Sequence, residues 1–345
     1  MIRFILLTYV FCLAFTSCVS DEEIRPDSGG SPADSEARVS FSLMLSPGSQ
    51  TQTRALSEAD ENAIYTVRLL LFREISGQMV YQFGMDRDSI RTVSPLQKVV
   101  ETSLPAGTYD VVFLANAKDI INSCPVAPGY TKEEVLDALV ETNTGKWKRN
   151  AIPMWGQIEG LTVNVETGVG RQNPVDMIRM MAKIDVEVDA SAAADFTLTE
   201  ILLYNASSRG SLAPNLINPA QPAQPAGAGG YGRMTAPLRY DAADGVTARE
   251  CKRAIYVYEA PAGTGVGGTD NICLVIGGRY QGAVTTYYRV DFTGKSGGQS
   301  AFLPLLRNNY YPVKIVSVSG IGSSTPETAL NTPPTHLRSG SINYN

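Results

Sequence analysis

The residues of this chain that could carry chemistry are few, and their spacing argues against most of it. One histidine, His336, occurs in 345 residues. A His-based triad or a His-rich metal site therefore has no material, and His336, in a proline-rich tail, is expected to be solvated. Gly263-Thr264-Gly265-Val266-Gly267-Gly268 satisfies the Gly-x-Gly-x-x-Gly spacing that lets a backbone approach a pyrophosphate. That motif must open a helix, whereas an extended apolar run to Ile276 follows here, so the stretch reads as a hairpin loop. Gly294-Lys295-Ser296 ends like a phosphate loop, but the motif needs glycine at 289, where Arg289 stands. Asp185, Glu187 and Asp189 alternate and could bind a cation weakly; the expectation is a solvated strand face. Asn205-Ala206-Ser207 matches a glycosylation sequon, a pattern too short to assign a modification. A net charge of -5 argues against a nucleic-acid partner. The expectation is a protein that is not an enzyme, with no cofactor and no metal.

Two positions remain where chemistry would be done to the chain rather than by it. The first is Cys18. Arg3 supplies a positive leader, and residues 4–16 form an uncharged apolar run too short to span a bilayer. Phe15-Thr16-Ser17-Cys18 then places small residues ahead of a cysteine, which resembles a bacterial lipobox. On that reading residues 1–17 are a signal peptide and the Cys18 thiol is lipidated with palmitate-type chains; a plain signal peptide with a chance cysteine is the alternative. Each buried methylene stabilises by about 0.8 kcal/mol, and stable anchoring takes two or more chains. Val19-Ser20-Asp21-Glu22-Glu23 puts acidic residues directly after the cysteine, as in lipoproteins that Bacteroidetes send to the outer surface. Residues 18–36 are polar and Pro-, Gly- and Ser-rich, the composition of a disordered tether. Cys124, Cys251 and Cys273 have no C-x-x-C spacing. Cys251 and Cys273 could pair or remain buried thiols.

The second position is Arg54. Val39, Phe41, Leu43 and Leu45 alternate with Arg38, Ser40, Ser42 and Met44, the period of a strand with one buried face. A polar loop follows over 46–62, containing Thr53-Arg54-Ala55. One trypsin-like cut between Arg54 and Ala55 would free the first strand, 38–45, from the rest. A strand that leaves exposes apolar side chains and unpaired backbone groups, which another strand must cover.

The elements around these positions read as strands. Alternating or apolar runs occupy 64–72, 78–83, 109–115, 152–156, 161–165, 178–188, 201–204, 254–258, 272–276, 285–292 and 310–318. Residues 74–77 and 104–109 are predicted turns. Thr131-Lys132-Glu133-Glu134 matches a capping box and predicts a short helix to about Val140, packed against a sheet edge. In 178–188, Ala182, Ile184, Val186 and Val188 fall on one face and Lys183, Asp185 and Glu187 on the other. A Pro-, Ala- and Gly-rich loop spans 213–237. The alternation of helices and strands that a parallel α/β sheet requires is absent. The fold class is mainly all-β with short helices and long loops, divided near residues 171–175 into 37–174 and 175–345.

With these residues in view, the chain resembles the fimbrillin family, the pilus subunits of Bacteroidetes that include the major fimbrial protein of Porphyromonas. The matching stretches are the lipobox; Ala37-Arg38-Val39-Ser40-Phe41 with the loop at Arg54; 67–72; Pro105-Ala106-Gly107 leading to Leu114-Ala115-Asn116; and Pro153-Met154-Trp155-Gly156. Arg179-Met180-Met181-Ala182-Lys183-Ile184 and Leu306-Arg307-Asn308-Asn309-Tyr310-Tyr311-Pro312-Val313, ending in Gly320-Ile321-Gly322, complete the series. The resemblance implies two transthyretin-like β-sandwich domains in tandem and export to the outer membrane as a lipoprotein. It also implies cleavage at Arg54 by an arginine-specific protease, and strand exchange with other pilus subunits. The tail 323–345 carries Pro326, Pro333 and Pro334, with Leu337, Ile342 and Tyr344 as the only candidate strand residues after the proline pair. Proline cannot donate to a ladder, so a tip or accessory subunit that contacts a host or bacterial surface receptor is expected rather than a stalk subunit. The alternatives are the pilus anchor and a monomeric surface lipoprotein that binds glycan or host protein. For glycan stacking the tyrosines of the second half (Tyr231, Tyr240, Tyr256, Tyr258, Tyr280, Tyr287 and Tyr288) are the candidates, and ordinary packing is the favoured reading.

Overall fold

β-branched and apolar residues at alternate positions dominate the chain, and strands dominate its structure. A computed structural model describes residues 36–46, 58–124, 126–148, 151–164, 172–264, 268–296 and 299–340. Cys18, Arg54, Ala55, Ile342, Tyr344 and the centre of the glycine loop at 265–267 lie outside the described residues.

The first half contains strands β1 Glu36–Leu45, β2 Val67–Ile75, β3 Gln78–Arg87, β4 Ile90–Ser94, β5 Gln97–Pro105, β6 Gly107–Ala115, β7 Val140–Thr142, β8 Met154–Val163 and β9 Gln172–Arg179. Short helices α1 Glu58–Glu61, α2 Lys118–Asn122 and α3 Lys132–Ala138 intervene. Eight of these strands form one sheet in the order β3-β2-β6-β8-β9-β1-β5-β4. The sheet narrows where β8 meets β9, at the pairs Met154↔Arg179 and Trp155↔Ile178. It doubles over there, because side chains of β1, β5 and β9 share one core with those of β2, β6 and β8. The rings of Phe41 and Phe113 meet edge to face across that core, with centroids 4.8 Å apart. Gly156 follows the join directly. A Cβ there would stand 2.8 Å from the Asp176 carbonyl and 2.6 Å from Met177 Sδ, so only glycine lets β9 pass this close. The β2–β3 hairpin turns at Ser76 and Gly77, both with positive φ (54° and 81°), the backbone of a two-residue turn.

The second half contains β10 Ala182–Val188, β11 Phe196–Tyr204, β12 Arg209–Ser211, β13 Leu238–Tyr240, β14 Glu250–Val257, β15 Cys273–Tyr280, β16 Thr286–Asp291, β17 Thr293–Ser296, β18 Gln299–Phe302, β19 Tyr310–Val318, helix α4 Pro326–Leu330 and β20 Leu337–Ser339. Two four-stranded sheets, β14-β10-β19-β20 and β13-β11-β15-β16, enclose a second core. The two halves share one device. β1 lies between antiparallel β5 and parallel β9, and β10 lies between antiparallel β14 and parallel β19. A third apolar cluster joins them, in which Leu70, Phe72 and Leu136 of the first half meet Met180, Tyr256 and Tyr258 of the second. β7 and β12 also pair across the halves, and residues from Ser35 onward form one compact unit.

Several expectations are refined. The strand expected at 64–72 begins at Val67, with Ile64 buried ahead of it, and the runs at 152–156 and 161–165 meet in one continuous strand, Met154–Val163, with residue 165 outside the described residues. The capping box is present: Thr131 Oγ1 accepts from the Glu134 amide, and the Glu134 carboxylate accepts from the Thr131 amide at 2.8 Å. α3 packs on β3, an edge of the large sheet. Cys251 and Cys273 are buried, unpaired thiols on different sheets. Gly294-Lys295-Ser296 lies in β17, and His336 is exposed. Four of the seven tyrosines considered for glycan stacking, Tyr240, Tyr256, Tyr258 and Tyr288, are buried in the cores, as the packing reading expects. Of the described tail residues, Ala329 packs on the outer face of β15, and Leu337 is buried where β20 lies along β19.

Candidate functional site

The site is the groove that holds β1. Val39, Phe41, Leu43 and Leu45 all point into the first core, with Phe41 and Leu43 wholly buried. Phe41 pairs with Val100 on one side and Asn173 on the other; Leu43 pairs with Lys98 and Val175. Both edges of β1 are therefore hydrogen-bonded, and its removal would open two edges as well as a channel for side chains. Polar contacts fix the register on the outer face. Gln97 Nε2 donates to Ser42 Oγ at 2.8 Å, and Asn173 Nδ2 donates to the Ser40 carbonyl at 3.1 Å. The Leu45 amide donates to the Leu96 carbonyl at 2.9 Å, which closes the ladder at its C-terminal end. Ser42, expected on the polar face, is itself buried.

Beyond Leu45 the groove ends in a buried polar junction that sequence reasoning missed. Val175, Met177 and Arg179 of β9 are inward in strict alternation, so Arg179 stands in phase with core residues. Its guanidinium uses all its donors. Nε donates to the Glu61 carbonyl at 3.2 Å, Nη1 to Asn308 Oδ1 at 3.0 Å, and Nη2 to Asn62 Oδ1. Both Nη atoms also donate to the Ser46 carbonyl, each at 3.4 Å. Arg179 thus touches both flanks of residues 47–57, the stretch that contains Arg54. Desolvation holds its pKa below the usual arginine range, opposed by the nearby Glu61 charge.

Glu61 carries the junction into the second half. Its carboxylate lies 3.0 Å from Lys183 Nζ and 3.7 Å from Arg253 Nε, and it accepts the Tyr256 hydroxyl at 2.5 Å. Asp185 accepts the Arg253 amide at 2.7 Å. The expectation of a solvated face on β10 is corrected here, because Lys183 and Asp185 are buried. β10 is covered on its second face by the first half, and alternation in sequence cannot show what covers a polar face. Burial pushes the Asp185 carboxyl above its ordinary range, against the attraction of Lys183. Burial, reinforced by Glu61, pushes the Tyr256 hydroxyl up as well, so it serves as a donor. The signal that could have exposed this cluster was an arginine at an inward position of β9, since a buried guanidinium requires partners. The two stretches around Arg179 and Asn308 converge here: the Asn308 amide donates to the Met181 carbonyl at 2.9 Å and the Lys183 amide to Asn309 at 3.0 Å.

Residues 37–190 match the family of the major fimbrial subunit protein FimA. The major fimbrium tip subunit FimE of Porphyromonas gingivalis is 25% identical over 336 residues, covering 94% of this chain and 54% of FimE. The chain therefore spans about half the length of the curated relatives it matches. Among solved structures, the tip fimbrial protein Mfa3 of Porphyromonas gingivalis, with a C-terminal truncation, superposes with a TM-score of 0.54 at 16% identity over 90% of this chain and 99% of that one. A fimbrilin (FimA) from Porphyromonas gingivalis W83 gives 0.50 at 17% identity over 90% and 97%. A putative cell adhesion protein from Parabacteroides distasonis gives 0.52 at 15% identity, again over 90% and 97%. These structural likenesses establish the shared fold.

Proposed function

We propose that this chain, similar to Bacteroidetes fimbrial subunits, is a subunit of a cell-surface pilus assembled by strand exchange. In this reading the chain is exported as a precursor lipidated at Cys18 and held in the outer membrane. An arginine-specific protease then cuts after Arg54, leaving Ala55 as the new N-terminus. The strand carrying Val39, Phe41, Leu43 and Leu45 departs, and a strand from a neighbouring subunit fills the groove. The fold is read as two tandem transthyretin-like sandwich domains. The tip subunits among its relatives favour a tip or accessory position, where an adhesive subunit would meet its receptor.

The observation that carries this reading is the place of β1. It is an inner strand paired on both sides. Four buried apolar side chains at about 1.5–3 kcal/mol each amount to roughly 6–12 kcal/mol. Domains are stable by only about 5–15 kcal/mol in total. A chain that has lost β1 is consequently driven to accept a replacement, and release of that replacement is slow. Cleavage makes the step irreversible, so no nucleotide is needed.

The test is to treat the purified, unlipidated precursor with an arginine-specific protease and identify the new N-terminus by mass spectrometry. The expected result is cleavage before Ala55, followed by SDS-resistant oligomers or capture of a synthetic strand peptide. A cut product that stays monomeric with its own 36–46 still bound would overturn the exchange step and leave the anchor or a monomeric surface lipoprotein.

A further inference from the structure

The groove of β1 has a built end. The last inward side chain is Leu45, and the next carbonyl, that of Ser46, is received by both Nη atoms of Arg179. The remaining donors of that guanidinium are held by Glu61, Asn62 and Asn308, none of which belongs to β1. Arg179 sits on β9, the strand that flanks the groove, and Asn308 grips it a second time by accepting its amide at 3.2 Å. When β1 leaves, this scaffold stays, and two N–H groups of a buried guanidinium lose their acceptor. A buried charged donor without an acceptor is costly, and a main-chain carbonyl at the groove mouth restores it.

We propose that Arg179 is the register stop of the β1 groove: it binds the main-chain carbonyl one residue beyond the last buried side chain of whatever strand lies there. The inference rests on the strand-exchange reading above and adds a rule to it. A strand slipped by two residues keeps its apolar face inward, so packing alone distinguishes such registers weakly. The guanidinium adds a requirement that packing lacks: a strand or register that ends at the Leu45 position leaves two buried N–H groups without an acceptor, whereas one that continues through the Ser46 position satisfies them. The ligand it selects is an extended segment with four alternating apolar residues followed by at least one further residue.

The test uses the full chain, cut by an arginine-specific protease, and two labelled, C-terminally amidated peptides of the chain's own strand, 36–46 and 36–45. The shorter peptide keeps every buried side chain and lacks the Ser46 carbonyl. A hydrogen bond to a charged group predicts that 36–46 outlasts 36–45 in the groove by about ten-fold or more. In the Arg179→Met chain the two half-lives become equal. Should that variant fold poorly, a 36–46 peptide whose last carbonyl is a thioamide, a weaker acceptor, is compared with its parent on the unmodified chain and is expected to leave sooner. Equal half-lives on the unmodified chain, or a preference that survives Arg179→Met, overturn the register stop while leaving exchange intact. If neither peptide enters the cut chain, exchange itself fails and the register stop falls with it.

Discussion

The three thiols of the described residues differ in what surrounds them. Cys124 is half-buried, with its Sγ 2.9 Å from the Ala138 carbonyl, whereas Cys251 and Cys273 are wholly buried. Burial pushes both enclosed thiols up to about 12 from a reference of 9.0. Between those limits the unfolded chain has released its protons and the folded chain retains them, so stability falls as pH rises. The contribution is fully present below about pH 9 and declines by about 1.4 kcal/mol per pH unit per thiol above it. The double substitution Cys251→Ala with Cys273→Ala should therefore flatten the alkaline slope of unfolding free energy, measured by urea denaturation from pH 8 to 11. An unchanged slope would mean that the thiols ionise equally in both states. The same burial predicts that, among these three, a thiol reagent labels Cys124 before Cys251 and Cys273 in the native chain. Their burial could be read from sequence only as one of two options, because spacing without a metal or disulfide pattern leaves a cysteine's role open. Arg179 was legible as part of a stretch that carries the fimbrillin resemblance, but its role was not, since its partners lie 117 to 133 positions away along the chain.

At the scale of elements, β1 and the β8–β9 join decide whether the first sheet closes. Phe41 is wholly buried and meets Phe113, so Phe41→Ala in the uncut chain should cost about 3–5 kcal/mol. Met44 is exposed on the same strand, and Met44→Ala should stay within about 0.5 kcal/mol. Denaturant midpoints of the two variants check the contrast; similar losses would show that β1 packs by its whole surface rather than by one face. Gly156→Ala places a methyl against the Asp176 carbonyl, a backbone atom that cannot swing aside. The expected loss is about 1–3 kcal/mol, with the damage concentrated in β8–β9 protection in hydrogen exchange. Uniform protection would remove the close approach as the reason for glycine. Elements of this kind were the most legible part of the chain. β1, β10 and β19 follow the period of two, and the capping box at Thr131 and Glu134 names its own donors and acceptors. Legibility failed on β10, where Lys183 and Asp185 alternate as a solvated face would. Their burial comes from the first half folding over them, a contact between residues more than a hundred positions apart that no local pattern encodes.

At the scale of the whole molecule, the two halves are joined by a polar core as well as an apolar one. Glu61 lies at the downstream flank of the Arg54 stretch, yet its carboxylate is held by Lys183 and Tyr256 of the second half and lies close to Arg253. A cut after Arg54 would leave Glu61 on the main body, so the junction persists after β1 departs. On the strand-exchange proposal, release of β1 would therefore leave the two halves joined to each other. Glu61→Gln tests this. The substitution preserves shape and removes the counter-charge from buried Lys183 and Arg253, and breaking a buried pair typically costs about 3–5 kcal/mol. The expected outcome is a loss of that order together with a change in cooperativity. Calorimetry should resolve one transition for the unmodified chain and two for the variant. Both tryptophans, Trp147 and Trp155, belong to the first half and to the apolar cluster between the halves, so their fluorescence should follow only one of the two. A variant that still unfolds in one step, with tryptophan and calorimetric midpoints coincident, would place the coupling in the apolar cluster of Phe72, Met180 and Tyr258 instead of in Glu61.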